Sequence, residues 1–207
     1  MSSRLHGKRA VVVGGGIGGL ATALRLRKAG ATVVLLEKND TVGGKVAERR
    51  AGGFRWDLGP SLFTMPQILD RLFADLGEKR EEYLKLKPLS PTCRYRWADG
   101  YQFDENEFFW SRPDSARLLR HAEGLYNLSA PAFLESAPSE VWSKVLNPRL
   151  LPLLRHLPAM SPFQSLASAS RRFYKDPHLQ QFLQRFATYN GSDPELTPAT
   201  FAVIPYV

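Results

Sequence analysis

Cysteine is almost missing from this chain. Cys93 is the one thiol in 207 residues, which excludes an internal disulfide and leads us to expect a reducing compartment, the cytoplasm. No stretch of about 18 consecutive apolar residues occurs, so no transmembrane helix is expected. The first residues do not read as a leader, because Val11-Val12-Val13 gives way to glycine before an apolar region can develop. His6, His121, His156 and His178 stand far apart and share no ligand spacing with each other or with Cys93, so no metal centre is expected. Acidic residues are withheld from one region. Between Glu140 and Asp176 there is no Asp or Glu, while Ser143–Lys175 carries Lys144, Arg149, Arg155, Arg171, Arg172 and Lys175. The net charge of +8 comes with no zinc-type spacing and no aromatic RNA-binding signature, so nucleic acid is not an expected partner.

Glycine, by contrast, is concentrated. Gly14-Gly15-Gly16-Ile17-Gly18-Gly19 follows the β-branched run Arg9–Val13 and precedes a helix-like run, Ile17–Ala29, with Leu20, Ala23, Leu24 and Arg27 at helical spacing. Gly30 stands where a helix C-terminal glycine belongs, and Thr32–Leu36 reads as a second strand ending at Glu37. The unit has the size of a strand–helix–strand crossover, which makes a parallel sheet. Gly14-x-Gly16-x-x-Gly19 in that context is the dinucleotide fingerprint. Gly14 allows the tight turn, Gly16 admits a pyrophosphate against backbone, and Gly19 lets helix and strand approach. The helix N-terminus adds partial positive charge and unpaired N–H groups. Glu37, 23 residues after Gly14, can accept both hydroxyls of a ribose and repel a 2′-phosphate.

Farther along, AERRAGGFRWDLG predicts two short strands around Ala51-Gly52-Gly53, and Pro66 opens a helix with Ile68, Leu69, Leu72, Phe73 and Leu76 on one face. CRYRWADGYQFDE reads as a hairpin turning in two residues at Asp99-Gly100. A mainly helical region follows from Pro113, interrupted by Pro131, Pro138, Pro148, Pro152 and Pro158. Ser161 is the expected cap of a helix with Phe163, Leu166, Ala167, Ser170 and Phe173 inward. Asp176-Pro177 starts another with Leu179, Phe182, Leu183 and Phe186 inward, stopped by Gly191. The ending, ATFAVIPYV, is apolar and uncapped, and it reads as an interrupted chain. Two domains are expected, 1–88 and 89–207.

A second glycine pair, Gly43-Gly44-Lys45, followed by Gly59-Pro60-Ser61, resembles the flavoprotein pattern in which the chain returns to the cofactor, with lysine in place of the commoner arginine. VVGGGIGGLATALRLRKAG, LLEKNDTVGGK, GGFRWDLGPSLFTMPQIL and FYKDPHLQQFLQRFATYNGSDPELTPATFAVIPYV together resemble bacterial-type phytoene desaturases, the carotenoid branch of the FAD-dependent amine-oxidase-like oxidoreductases. Arg9–Phe73 carries the superfamily likeness and Phe173–Val207 the carotenoid one. The resemblance implies an α/β fold: a Rossmann-like FAD-binding domain with an inserted, partly helical substrate domain, and a C-terminal part absent from this chain. It implies FAD on Gly14, Gly16, Ile17, Gly18, Gly19, Glu37, Lys38, Gly43, Gly44, Lys45, Leu58, Gly59, Pro60 and Ser61.

The implied reaction is desaturation of a polyene precursor such as phytoene, with flavin accepting hydride. The implied substrate dissolves in lipid, so attachment to an anionic membrane surface through Ser143–Lys175, on the inner face of the cell membrane, is expected. Phe163, Phe173, Phe182, Phe186 and Tyr189 are candidates to line an apolar tunnel or to form core. No catalytic residue is identified. A non-catalytic fragment of such an enzyme, inactive alone, and another amine-oxidase-like oxidoreductase remain the alternatives.

Overall fold

The computed structural model describes residues 5–134, 137, 139 and 163–207, and the chain divides into two compact units, Met1–Lys87 and Pro88–Val207.

The first unit is built on the crossover. Strand β1 (Arg9–Val13) and strand β2 (Thr32–Leu36) pair in parallel, Arg9 against Thr32 through Val13 against Leu36. Helix α1 (Ile17–Lys28) connects them. Alternation follows the period of a strand. Ala10, Val12, Val33 and Leu35 are half-buried, while Val11, Val13, Val34 and Leu36 are exposed. α1 ends as Gly30 requires. With φ +95°, Gly30 donates its N–H to the Arg27 carbonyl, and Ala31 donates to Leu26, the pair of bonds that closes a helix through a left-handed residue.

Strands β3 (Glu48–Ala51) and β4 (Phe54–Asp57) form a hairpin in which Ala51 pairs with Phe54. Gly52 and Gly53 make the two-residue turn, both at positive φ, which is the twist-matched geometry that glycine permits. Arg50 and Arg55 face each other across this hairpin, and Glu48 holds both. Helix α2 (Pro66–Leu76) has Pro66 in its first turn and Gly77 in the left-handed conformation after its end. Leu69, Leu72, Phe73 and Leu76 are half-buried, whereas Ile68 stays 42% exposed. Arg25 of α1 pairs with Asp75 at 2.9 Å, and Lys28 Nζ donates to the Leu76 carbonyl.

The second unit holds the deeper core. Strands β5 (Cys93–Arg96) and β6 (Gln102–Glu105) pair antiparallel. The turn is longer than Asp99-Gly100 alone: Trp97 still donates to the Tyr101 carbonyl, so Ala98, Asp99 and Gly100 all lie in the loop, with Gly100 at φ +89°. Helix α3 (Glu107–Ser111) leads into helix α4 (Pro113–Phe133). Pro131 does not interrupt α4: it lies within the last turn, and the helix runs on to Phe133. Pro138, Pro148, Pro152 and Pro158 lie outside the described residues, as does Ser161.

Helix α5 (Leu166–Phe173) starts later than the sequence suggests. Ser165, not Ser161, is its cap, and its Oγ accepts from the Ser168 N–H at 3.1 Å. Phe163 therefore precedes the helix and is fully exposed, while Leu166, Ala167, Ser170 and Phe173 are buried as expected. Helix α6 (Pro177–Gln184) is capped by Asp176, which accepts from the His178 N–H at 2.8 Å. It passes into a 3₁₀ turn, Arg185–Tyr189, before Gly191. A last 3₁₀ segment, Ala199–Tyr206, packs on α4 and α5. Phe182, 1% exposed, lies edge-on to Tyr95, Phe103 and Phe109 at 5.2–5.5 Å. Phe173, Phe182 and Phe186 are thus core, and Tyr189 is 65% exposed.

Candidate functional site

The first unit gathers the glycines into one surface. Gly14 stands at φ +102° directly after β1 and donates to the Leu36 carbonyl at 2.7 Å, so the loop is anchored to both strands. α1 begins at Ile17 with Gly16 as its cap and no side chain closing the end. Its first N–H groups are left to a ligand or water. The second glycine pair comes back to this loop: Gly43 donates to the Gly15 carbonyl at 2.7 Å, and Gly16 and Gly43 form a parallel bridge. The path continues, because Leu58 donates to the Ala47 carbonyl and Gly59 lies directly on the Lys45 carbonyl. Residues 14–19, 37, 43–45 and 58–59 are therefore joined by contact. Lys38, Pro60 and Ser61 are exposed, and Lys38 meets the path through its backbone N–H, which helps hold the Glu37 carboxyl low.

The glycines have two different reasons to be glycine. A Cβ on Gly19 would overlap the Gly14 carbonyl oxygen, and one on Gly59 would overlap the Lys45 carbonyl. One on Gly15 would meet Val42 Cγ1 at 2.9 Å, and one on Gly43 the Val46 carbonyl at 2.7 Å. Those four are demanded by the fold. At Gly16 the nearest atom would be Gly44 Cα at 4.0 Å, and at Gly18 nothing would lie within 4 Å, yet neither has a positive φ. The chain alone would accept alanine there. A cradle that a Cβ would fill, floored by helix N–H groups, fits a dinucleotide pyrophosphate.

Glu37 closes over the same loop. Its Oε2 accepts from the Gly15 N–H at 2.6 Å, and its Oε1 accepts from the Asn39 backbone N–H at 3.0 Å and from Asn39 Nδ2 at 2.8 Å. The Asn39 and then the Gly15 N–H hold its carboxyl below the ordinary carboxylate range. Oε1 already accepts two bonds from Asn39, so Oε2 keeps the open lone pair for a ribose hydroxyl, and a second hydroxyl would have to displace an Asn39 donor.

In the second unit an open apolar cavity of about 540 Å³ is lined by Leu125 and Tyr126 of α4 and by Phe201, Val203 and Ile204 of the last 3₁₀ segment. None of Phe163, Phe173, Phe182, Phe186 and Tyr189 lines it, and Phe173, Phe182 and Phe186 take the core alternative instead. Sequence reasoning also missed two long-range placements. Glu105 is buried and accepts from Tyr95 Oη at 3.0 Å, and burial pushes its carboxyl up. His178 bridges Asp99 Oδ2 at 2.7 Å and Asp176 Oδ1 at 3.1 Å, with its ring stacked on Tyr101 at 4.2 Å. Alternation marks Glu105 as inward only once the hairpin is known, and nothing in sequence links His178 to Asp99. Among the described residues no cluster of His, Cys, Asp or Glu could hold a metal, and no helix is long and apolar enough to cross a membrane.

Comparison with known proteins agrees with this geometry. The NAD(P)-binding Rossmann-like domain family matches residues 12–77. The 1-hydroxycarotenoid 3,4-desaturase of Flavobacterium sp. is 36% identical, with 97% of this chain aligned to 43% of that protein. The hydroxyneurosporene desaturase of Rubrivivax gelatinosus is 35% identical over 100% of this chain and 42% of its own length, and the phytoene dehydrogenase of Streptomyces griseus is 33% identical over 95% and 40%. The chain thus spans about two fifths of the curated relatives it matches. A solved putrescine oxidase shares the fold at a TM-score of 0.54 and 20% identity, covering 97% of this chain and 41% of its own. With a Rossmann-like domain at its start and this identity along nearly its whole length, the chain is a homologue of the carotenoid desaturases.

Proposed function

We propose that this chain supplies the dinucleotide grip and part of the substrate region of an FAD-dependent carotenoid desaturase. The observation that carries the reading is the free space at Gly16 and Gly18 beside the returning Gly43–Lys45 loop. The fold does not need glycine at those two positions, and a pyrophosphate does. On this reading Gly14, Gly16, Ile17, Gly18 and Gly19 present backbone to the pyrophosphate, and Glu37 accepts the ribose hydroxyls with Lys38 beside it. Gly43, Gly44, Lys45 and the Leu58–Ser61 segment follow the cofactor toward its flavin. FAD bound there supplies a two-electron acceptor, so that a substrate C–H hydride and a proton from the neighbouring carbon leave and a double bond forms. The protein's share is orientation and a dry apolar surface.

The substrate is a carotenoid polyene, the class named by the relatives, and the apolar cavity beside α4 is the described surface suited to it. Such a molecule is drawn from a bilayer, which makes the protein peripheral on the inner face of the cell membrane. Of the stretch Ser143–Lys175 that the sequence points to, residues 143–162 lie outside the described ones; Phe163, Arg171, Arg172 and Lys175 are exposed.

A chimera tests the assignment. This chain replaces the matching part of the Flavobacterium 1-hydroxycarotenoid 3,4-desaturase in cells that make its substrate. A longer-wavelength polyene absorbance is expected, abolished by Gly16→Val. A folded, flavin-loaded chimera that makes no product would overturn the desaturase reading, and a purified chain that prefers NAD to FAD would overturn the cofactor.

A further inference from the structure

A groove of about 720 Å³ in the second unit runs between the start of α4 and the end of α5. Six cations line it: Arg112, Arg117, Arg120, Arg171, Arg172 and Lys175. Two acids, Asp114 and Asp176, share the lining, leaving an excess of 6 − 2 = 4 positive charges. Both acids are already engaged. Asp114 pairs with Arg112 at 3.2 Å, and Asp176 is held by the His178 N–H and ring. Arg171 pairs with Glu195 at 3.0 Å. Arg117, Arg120, Arg172 and Lys175 have no carboxylate partner among the described residues.

The unpaired cations are not scattered by mutual repulsion. Arg117 and Arg172 both lie over the Phe173 ring, at 5.4 and 5.0 Å. Arg117 Nη2 is fixed by the Arg172 and Phe173 carbonyls at 2.8 and 2.9 Å. The ring face and the two carbonyls offset part of the repulsion between these like charges, and an anion among them would lower it further. The field is felt nearby: burial and then Arg172 push the His121 imidazole down. The N-terminus of the 21-residue α4, at Pro113, opens on the same groove and adds its own positive end.

We propose that this groove binds a phosphate group, with guanidinium forks as its bidentate donors. The phosphate belongs either to an anionic phospholipid headgroup or to a free phosphate compound. In the first case the groove is the element that holds the protein to the membrane, which deepens the reading above. The site itself does not rest on the dinucleotide reading.

The test uses the whole chain and the pair Arg120→Gln/Lys175→Gln. Both residues are exposed and their side chains are bonded to no described group, so the fold is kept. Arg27→Gln/Lys79→Gln removes the same charge in the first unit and serves as control. Co-sedimentation with phosphatidylcholine vesicles, with and without phosphatidylglycerol, is run beside calorimetric titration with pyrophosphate. For a lipid phosphate, the groove pair binds anionic vesicles about thirtyfold more weakly, the ~2 kcal/mol that two basic residues contribute at such a surface, and the control changes little. For a free phosphate, pyrophosphate binds the parent and not the groove pair, while vesicles are ignored. Equal loss in control and groove pair overturns the site, as does absence of both kinds of binding. Vesicle binding that the groove pair leaves intact overturns the groove while sparing membrane attachment.

Discussion

Alanine at Gly16 and alanine at Gly19 are the same chemical change three residues apart, and the structure assigns them opposite consequences. At Gly16 the new methyl would stand 4.0 Å from Gly44 Cα, an ordinary contact. The backbone there, φ −71° and ψ 174°, suits any residue. Alanine is a poorer helix cap than glycine by about 0.5–1 kcal/mol, and it recovers about 0.4–1 kcal/mol by restricting the unfolded chain. The net change is close to zero. At Gly19 alanine gains about 1 kcal/mol of helix propensity. Its methyl then overlaps the Gly14 carbonyl, which cannot yield because Gly14 is tied to Leu36 at 2.7 Å. Overpacking against fixed backbone costs about 3 kcal/mol or more, so the net loss is about 2 kcal/mol. In a first unit of 87 residues, Met1–Lys87, that lowers Tm by roughly 8–16 °C.

Binding should not follow stability. Both variants should lose FAD, and Gly16→Ala should lose it by about a hundredfold or more, since two charge-assisted bonds to the pyrophosphate are worth about 3 kcal/mol at least. Calorimetric melting beside equilibrium dialysis against FAD separates the two quantities. A Gly16→Ala protein that melts like the parent and keeps its affinity would refute the assignment of that space to a ligand. Gly19→Ala melting with the parent would refute the packing argument.

Gly59→Ala should behave as Gly19→Ala does, because its methyl meets the Lys45 carbonyl; a soluble variant with unchanged melting would remove Gly59 from the fold-required set. Burial raises the Glu105 carboxyl, so its stabilising form is the protonated one. That contribution is complete below the unfolded value near 4.5 and is lost as pH rises through the folded value. Glu105→Gln should therefore melt higher than the parent at pH 7 and converge with it in acid, and the reverse order would contradict the burial. Asp99 first, with Asp176 assisting, raises the His178 imidazole against a partial burial cost. Its contribution is full below the ordinary value of 6.5 and fades as pH rises through the folded value. His178→Gln should flatten the melting profile between 6.5 and the raised folded value, and a parallel profile in that window would show that the two aspartates do not hold it. Glu37 is depressed by the Asn39 and Gly15 N–H groups, so its contribution holds at neutral pH and is lost on acidification below 4.5. Glu37→Gln should lose less stability on acidification than the parent does.

Local chemistry was readable from sequence wherever a residue's reason lies within a few positions. The crossover, the Gly30 terminus, the Gly52-Gly53 turn, Pro66 and the Asp176 cap are such cases, each fixed by one dihedral or one cap bond. Errors gathered where a neighbour in sequence is not a neighbour in space. Phe163 continues the apolar spacing of α5, yet Ser165 starts that helix because its backbone also pairs with Pro198, and Phe163 is left in solvent. Phe182 is held in the core by partners on the β5–β6 hairpin and α3, contacts that periodicity cannot register.

The candidate site shows the same division within one motif. A fingerprint of glycines is legible as a fingerprint, but its five glycines, alike as letters, carry two kinds of constraint. Gly15 and Gly19 are fixed by atoms of the chain itself, whereas Gly16 and Gly18 are fixed by nothing among the described residues. Glycine in a helix's first turns is costly, so a position where the fold would accept alanine marks where the fold ends and a ligand begins. On the proposed reading, the boundary of the dinucleotide site is therefore drawn by open space rather than by contact.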